Sequence, residues 1–265
     1  MQRNIITLLA MTIIAIETPE AHAQWLKVPP LNAPKTAKGE VDLRAPAPRR
    51  ADGRPDLSGS WSPDDNRYLR DIGLDIKPTD FPFQPWSKKV FDERKDGSHS
   101  REDPDAHCLP QGVPKIDLVQ YPYKFIETPN SMVIIYETFN YWRQIFTDGR
   151  EADPNANPTW MGYSTGKWDG DTFVIDSRGF NGKLWLDQLG RPTTDKLHVI
   201  ERFRRINYGT LKLDVTIDDP GAYTKPFTVS QEIHLRPGWE PLEFICGENN
   251  TDVEHLPGKV DAFAK

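Results

Sequence analysis

The sequence lacks the motifs of several large enzyme classes. No P-loop, G-x-G-x-x-G pattern or H-E-x-x-H pair occurs in its 265 residues. Its histidines are scattered without the spacing of metal ligands, so we expect no metal site, and nothing in the pattern predicts a cofactor. A formal net charge of −6 without a basic stripe argues against nucleic acid as a partner.

Long apolar runs are missing too, apart from one near the start of the chain. Residues 5–16 form an apolar stretch that is too short to span a bilayer, with Arg3 before it and Ala21-His22-Ala23 after it. This order is typical of a secretory signal peptide that is cleaved after Ala23. We therefore expect an exported protein, periplasmic or secreted, with no membrane insertion after cleavage.

Cysteine is nearly absent, because the chain contains only Cys108 and Cys246. In an oxidising compartment an isolated pair usually forms a disulfide. Such a bond would close a loop of about 140 residues and contribute about 4–5 kcal/mol in the chain-entropy model. The alternative is two free thiols, one of which would be a nucleophile.

Proline is abundant, with 24 residues concentrated in the first half of the chain. Residues 24–56 are rich in proline and poor in apolar periodicity, which predicts an extended, irregular arm. We expect the remainder, 57–265, to form a single β domain. Residues 81–94 are compatible with one short helix that has Pro85 near its first turn.

The second half of the chain is dominated by β patterns. Asp169-Gly170 between two β-rich runs is a strong hairpin signal, and residues 211–217 alternate cleanly between apolar and polar side chains. The fold class is therefore all-β, an antiparallel meander of about eight strands that forms a lipocalin-like barrel or a two-sheet sandwich. The expected strands are 132–136, 141–146, 162–168, 172–176, 198–204, 211–217, 227–235 and 242–246.

Four segments resemble a family of uncharacterised exported bacterial proteins. They are DGRPDLSGSW at 52–61, TWMGYSTGKWDGDTFVI at 159–175, HVIERFRR at 198–205 and TIDDPGAYTKP at 216–226. The resemblance implies export and a shared single-domain fold, and it supplies no catalytic residues. Two Gly-x-Trp elements, ending at Trp61 and Trp168, resemble those of lipocalin-like barrels.

Polar residues that share the phase of apolar neighbours in the expected strands are candidates for chemistry. Glu201, Gln231 and Glu248 fall in such positions, which would direct them inward. A carboxyl buried in apolar surroundings acquires a raised pKa and can act as a general acid or base. We predict Glu201 and Glu248 as the catalytic pair, with His107 as a proton carrier that the Cys108–Cys246 bond would bring near Glu248. Alternatively, Glu201 is an internal strut paired with Arg143 or Arg202, and Glu248 lies past a strand end.

Aromatic residues suggest a binding cleft, because Trp160, Tyr163 and Trp185 all lie in the densest β region. We predict these three, together with Arg143 and Gln231, as substrate-binding residues. The alternative for each tryptophan is that it fills the core.

These features support three hypotheses for function. The first is a metal-independent acid–base enzyme, of lyase, isomerase or hydrolase type, that acts on a small organic or sugar-derived substrate in an apolar pocket. The second is a non-catalytic barrel that binds a small-molecule ligand. The third is an envelope interaction protein whose proline-rich arm contacts a partner.

The signal pattern and the cysteine pair can be tested together. The exported protein should begin at Gln24, and its intact mass should be lower by two hydrogens than that of the reduced chain. Mass spectrometry of the native and the chemically reduced protein measures both properties. Two titratable thiols in the native exported protein would contradict the disulfide.

Overall fold

The computed structural model describes residues 32–248 and 250–259. The expected signal peptide, 1–23, the first part of the expected arm, 24–31, and the end of the expected β domain, 260–265, lie outside the described residues. Nine strands make up the fold: β1 Ser60–Ser62, β2 Tyr123–Glu127, β3 Ser131–Tyr136, β4 Trp142–Phe146, β5 Tyr163–Asp169, β6 Thr172–Arg178, β7 His198–Arg205, β8 Thr210–Asp218 and β9 Phe227–Leu235.

The helices of the described chain are short and lie outside the barrel strands. The α-helices are α1 Arg67–Arg70 and α2 Pro85–Arg94, and the 3-10 helices are Ser100–Glu102, Pro104–His107, Lys115–Asp117, Thr138–Asn140 and Asp252–Glu254. Proline is the first residue of α2, where its missing N–H costs no hydrogen bond, so the predicted short helix with Pro85 in its first turn is confirmed. None of the described helices is long and apolar enough to cross a membrane.

The strands close into a barrel in sequence order, which confirms the all-β, barrel-like prediction. Strand β9 returns to β1 through the pair Trp61–Leu235, so the sheet has no free edge strand. One neighbouring pair departs from the expected antiparallel meander: β4 and β5 run parallel and pair at only two positions, Ile145–Ser164 and Phe146–Thr165. Parallel strands need a connection that returns along their length, and residues 147–162 form it.

The alternating pattern of β8 has the predicted consequence. Leu211, Leu213, Val215 and Ile217 are all fully buried, whereas the residues between them are partly exposed. The Asp169-Gly170 signal likewise marks a tight hairpin, in which Asp169 pairs with Thr172 and Gly170 has a positive φ of 57°.

The strand predicted at 242–246 is wrong, because this segment is irregular. The backbone N–H groups of Leu242 and Phe244 donate to side chains, Glu137 Oε2 at 3.0 Å and Asn140 Oδ1 at 2.8 Å. The pairing of β9 with β1 leaves no sheet edge for another strand. Residues 242–246 therefore lie against the β3–β4 connection, where Phe244 contacts the rings of Tyr121 and Phe139, instead of joining the barrel wall.

The two cysteine sulfurs lie at bonding distance, which confirms the predicted pair. The Cα atoms of Cys108 and Cys246 are 5.5 Å apart, and the bond joins residues 138 positions apart in the chain. It fastens the segment after β9 to the 3-10 helix Pro104–His107, and so holds two irregular stretches against the same side of the barrel.

The described part of the arm, 32–56, has neither helix nor strand, but it is attached to the barrel. Arg49 forms an ion pair with Asp171 in the β5–β6 turn at 2.6 Å, and Arg50 forms one with Glu127 at the end of β2 at 2.6 Å. The N–H of Tyr208 donates to the carbonyl of Ala45 at 2.7 Å. The arm therefore contacts the β2–β3, β5–β6 and β7–β8 turns.

The facing of β8 can be tested by substitution. Val215→Asp should prevent folding or destabilise it by more than about 4 kcal/mol, because an unpaired carboxylate would enter the apolar core. Lys212→Gln on the exposed face should change stability by less than about 0.5 kcal/mol. Chemical denaturation measures both variants, and similar midpoints for the two would contradict this facing.

Candidate functional site

A cluster of polar side chains lies inside the barrel among apolar ones. Arg143 on β4, Ser164 on β5, Ser177 on β6 and Glu201 on β7 all point inward because they share the phase of buried neighbours in their strands. The side chains of Arg143 and Glu201 are 3% and 0% exposed. The cluster is therefore sealed from solvent.

The guanidinium of Arg143 is fully engaged within this cluster. Nη1 donates to Glu201 Oε1 at 2.9 Å, and Nη2 donates to Glu201 Oε2, so the pair is bidentate. Nε donates to Ser164 Oγ at 3.0 Å and Nη2 to Ser177 Oγ at 2.7 Å. Burial lowers the pKa of Arg143, but the adjacent Glu201 carboxylate outweighs burial and raises it, so the guanidinium stays charged.

Asp117 is a second carboxyl in the cluster. It lies in the 3-10 helix Lys115–Asp117, where its Oδ1 accepts a hydrogen bond from the Tyr136 hydroxyl at 2.7 Å. Its Oδ2 lies 3.6 Å from Arg143 Nη1. Burial and then the charge of Glu201 raise the pKa of Asp117 well above its usual range. One guanidinium therefore faces two carboxyls, and of these Asp117 is the one whose pKa burial raises.

The geometry distinguishes between the two partners considered for Glu201. Arg202 points away from the cluster and donates to Asp169 Oδ2 at 2.9 Å on the outer surface. Arg143 is therefore the partner of Glu201, and the two form a buried structural ion pair inside the barrel.

The other two predicted catalytic residues lie elsewhere. Glu248 is exposed in a turn that follows Cys246, outside the barrel. His107 closes the 3-10 helix Pro104–His107 and lies half-buried, with Nε2 donating to the Arg101 carbonyl at 2.6 Å. Their catalytic roles stay predictions, but Glu248 does not share the buried environment of Glu201.

The predicted substrate-binding residues are also distributed over several places. Arg143 belongs to the buried cluster, and Tyr163 donates to the carbonyl of Asn157 at 2.9 Å. Trp160 packs against the core. Gln231 lines a small surface cleft of about 280 Å³, and Trp185 lines a larger one of about 590 Å³.

Ser164 also belongs to a pattern that can mark a nucleophile, because residues 162–166 read Gly-Tyr-Ser-Thr-Gly. In α/β hydrolases this pattern forms a sharp strand-to-helix turn that exposes the serine. Here Ser164 lies within β5, is buried, and bonds Arg143 and Ser177. It is therefore a structural partner of Arg143 and not an exposed nucleophile.

The cleft that contains Trp185 lies between helix α2 and the loop 182–193, and is called here the α2 cleft. Trp86, Val90 and Arg94 form its helical wall, because residues four apart lie on one face of a helix. Its other lining residues are Glu102, Gly182, Lys183, Leu184, Trp185, Pro192, Thr193 and Lys259.

Several contacts hold the helical wall of the α2 cleft in place. Trp86 Nε1 donates to the carbonyl of Gly221 at 2.7 Å, and Ser87 Oγ donates to that of Ala222 at 2.5 Å. The guanidinium of Arg94 lies 4.2 Å from the centre of the Trp185 ring. Gly190, with φ of 81°, permits this approach, because a Cβ there would lie 2.6 Å from the Arg94 side chain.

The opposite loop is braced by a buried ion pair. Asp187 is fully buried and contacts the guanidinium of Arg191, and its Oδ2 accepts the N–H of Ile72 at 2.9 Å. Burial raises the pKa of Asp187. This network fixes the loop that carries Trp185 against the chain near α1.

A third opening, of about 1030 Å³, lies on the outer face of β5, β6 and β7. Its charges are largely paired with one another: Arg202 contacts Asp169 at 2.9 Å, and Arg178 contacts Asp176 at 3.1 Å. Arg150 contacts Asp148 at 2.5 Å beside this groove.

Within the part of the chain that the structure describes, no group of three or more His, Cys, Asp or Glu side chains is placed to hold a metal ion. Comparison with protein-family models, with curated proteins and with solved structures finds no match to this chain. The resemblance to exported bacterial proteins therefore stays a prediction, and the site must be interpreted from its own geometry.

Two substitutions in the buried cluster should differ in their effect on the free energy of unfolding. Glu201→Gln should cost about 3 kcal/mol or more, because Arg143 loses the anion that it contacts with two nitrogens. Asp117→Asn should leave stability at neutral pH unchanged or raise it, because the amide oxygen can still accept from Tyr136. Denaturation of both, with exposed Glu232→Gln as a control that should match the parent, measures this. Equal stability of the Glu201 and Asp117 variants would contradict the assignment.

The raised pKa of Asp117 predicts that the stability of the fold depends on pH. Because the pKa of Asp117 is raised on folding, the folded chain binds more protons than the unfolded chain above about pH 4. Its contribution is present below that pH and is lost as pH rises towards the raised pKa. Asp103 acts in the same direction, since burial raises its pKa to about 6. Asp117→Asn should therefore lose less stability than the parent as pH rises above about 4, and identical pH profiles would contradict this.

Proposed function

We propose that this chain is an exported β-barrel protein that binds a small organic molecule in the α2 cleft. The observation that carries the proposal is the contrast between the two candidate regions. The predicted acid–base residue Glu201 is fully buried and bonded to Arg143, whereas the α2 cleft is open and lined by two tryptophans and an arginine. Concave, partly aromatic surfaces with a few polar groups are the usual form of small-molecule sites.

The contacts of Glu201 argue for binding rather than for catalysis by this residue. A general base needs a free lone pair within hydrogen-bond reach of its substrate. Both carboxylate oxygens of Glu201 accept from Arg143, and its side chain is 0% exposed. A substrate would have to enter the closed barrel to reach it, and would find both oxygens already bonded to Arg143.

The disulfide supports the exported location. Disulfides persist in oxidising compartments and are rare in reducing ones. The Cys108–Cys246 pair together with the signal pattern at 1–23 is consistent with a periplasmic or secreted protein.

A second candidate is acid–base catalysis inside the barrel, favoured by Asp117. Burial raises the pKa of this carboxyl, and its Oδ2 has no hydrogen-bond partner among the described residues. The hydroxyl of Tyr123 is also buried and, within the described chain, likewise without a partner. A small polar substrate that entered the barrel would meet both groups, in a reaction of lyase, isomerase or hydrolase type.

A binding screen distinguishes the two candidates. Mixtures of small aromatic, aliphatic and sugar-derived compounds are screened against the folded protein by ligand-observed NMR, and hits are titrated. We expect hits whose affinity falls about tenfold or more in Trp86→Ala, because the exposed indole supplies contact area and stacking.

Trp239→Ala is the matched control, since Trp239 is also an exposed tryptophan but does not line the cleft. Its affinities should equal those of the parent. Hits that are unaffected by Trp86→Ala but lost in Asp117→Asn would overturn the proposal in favour of the barrel interior. A protein that binds nothing in the screen would overturn both.

A further inference from the structure

We infer that the ligand of the α2 cleft is a flat anion, of the class of aromatic carboxylates. This inference rests on the proposed function, since it names the chemistry of the molecule that the cleft would take. Three features carry it: unbalanced positive charge, a half-buried arginine that has no carboxylate partner among the described residues, and the exposed indole of Trp86.

The charges that line the α2 cleft are not balanced. Arg94, Lys183 and Lys259 contribute three cations, whereas Glu102 is the one carboxylate among the lining residues. Glu102 already has a partner, because the Nδ1 of His99 lies 2.7 Å from its Oε1. An anion in the cleft would therefore meet positive charge that the described residues leave without a matching carboxylate.

Arg94 is the central element of this argument. Its side chain is half-buried, yet no carboxylate of the described chain lies within ion-pairing distance of it. Its one hydrogen bond within the described chain is long, from Nη1 to the carbonyl of Gly190 at 3.3 Å. Burial lowers the pKa of Arg94, although the charges of Glu102, Asp103 and Glu93, none of them in an ion pair with it, act in the opposite direction. A ligand carboxylate can accept two parallel hydrogen bonds from such a group.

The aromatic residues select the shape of the ligand. The Trp86 side chain is 43% exposed, and its indole N–H is occupied by the Gly221 carbonyl, so it presents a ring surface and no free donor. Trp185 is only 5% exposed and lies 4.2 Å from the Arg94 guanidinium, so it supports that group and leaves the Trp86 ring as the exposed indole of the cleft. Flat rings stack favourably on both indole and guanidinium groups.

Other polar groups in the cleft are already occupied. The hydroxyl of Thr193 donates to the carbonyl of Leu184 at 3.0 Å, so it adds little hydrogen-bonding capacity. A sugar, which needs many donors and acceptors, would find few partners here. The outer groove on β5, β6 and β7 is less suited to an anion, because Arg178 and Arg202 are paired with carboxylates there.

The test compares three probes by isothermal titration calorimetry at neutral pH. Naphthalene-2-carboxylate has both the charge and the flat ring, naphthalene-2-carboxamide lacks the charge, and cyclohexanecarboxylate lacks the aromatic ring. We expect the naphthalene carboxylate to bind at least about tenfold more tightly than either of the others.

Variants locate the charge effect. Arg94→Gln and, independently, Lys183→Gln should each weaken naphthalene-2-carboxylate several-fold and leave the carboxamide nearly unchanged. Lys183 is exposed at the rim, so its replacement keeps the test valid if Arg94→Gln disturbs the helix. Lys89→Gln is the control, because it removes one charge from the same helix at an 80% exposed side chain outside the cleft.

The outcomes separate the inference from the proposed function. If the carboxamide binds as tightly as the carboxylate and both depend on Trp86, the anion class is wrong while the cleft remains the site. If the carboxylate binds equally well to the parent, Arg94→Gln and Lys183→Gln, the inference is also overturned. If no probe binds and the wider screen shows no Trp86-dependent hit, the proposed function itself fails.

Discussion

The barrel depends on the neutralisation of one buried cation, Arg143. Desolvating a guanidinium is costly unless its charge and all its N–H groups are matched, and breaking such a pair is more damaging than never having formed it. The bonds to Ser164, Ser177 and Glu201 connect β4 to β5, β6 and β7. They do so across the seam between β4 and β5, where the backbone pairs at only two positions. The side chains thus supply cohesion at the place where the parallel pairing is shortest.

Buried ion pairs also hold irregular segments of the chain in place around the barrel. Lys115 is almost fully buried and contacts Asp103 at 3.1 Å and Asp105 at 2.7 Å, which holds together the loops around the disulfide. Arg191, on the loop beside the α2 cleft, contacts Asp187 of the same loop and Asp71, which follows α1. Segments that have no ladder of backbone hydrogen bonds are positioned here by buried ion pairs. This is why so many charged residues of an acidic protein are inside it.

The sequence pattern predicts a strand and its buried face where a single local rule, such as alternation or a tight turn, determines them. Strands β5 to β9 have alternation or a tight turn, and their facing follows from it, as it does for Val215. The position of Glu201 in the alternation of β7 predicts that its side chain points into the barrel. The alternation does not distinguish Arg143 from Arg202 as its partner. Asp117 was missed because a 3-10 turn has no alternation to reveal a buried carboxyl. Residues 242–246 have strand composition, but strand formation also needs an open edge, and composition does not encode edges.

The α2 cleft could not be predicted for a related reason. Trp86, Val90 and Arg94 are spaced as one helical face, but their opposite wall comes from residues 182–193, about 90 positions later in the chain. Only the tertiary structure shows that Arg94 meets Trp185 and that no carboxylate of the described residues forms an ion pair with it. The interior of this barrel is occupied by large side chains such as Trp61, Tyr123 and Phe173 and by the Arg143 cluster. The α2 cleft lies outside the strands and is therefore compatible with that filling. Both walls of the cleft are fixed by their own contacts, one by the bonds of Trp86 and Ser87 and the other by the ion pair of Asp187 and Arg191. The geometry of the cleft is therefore set before a ligand arrives.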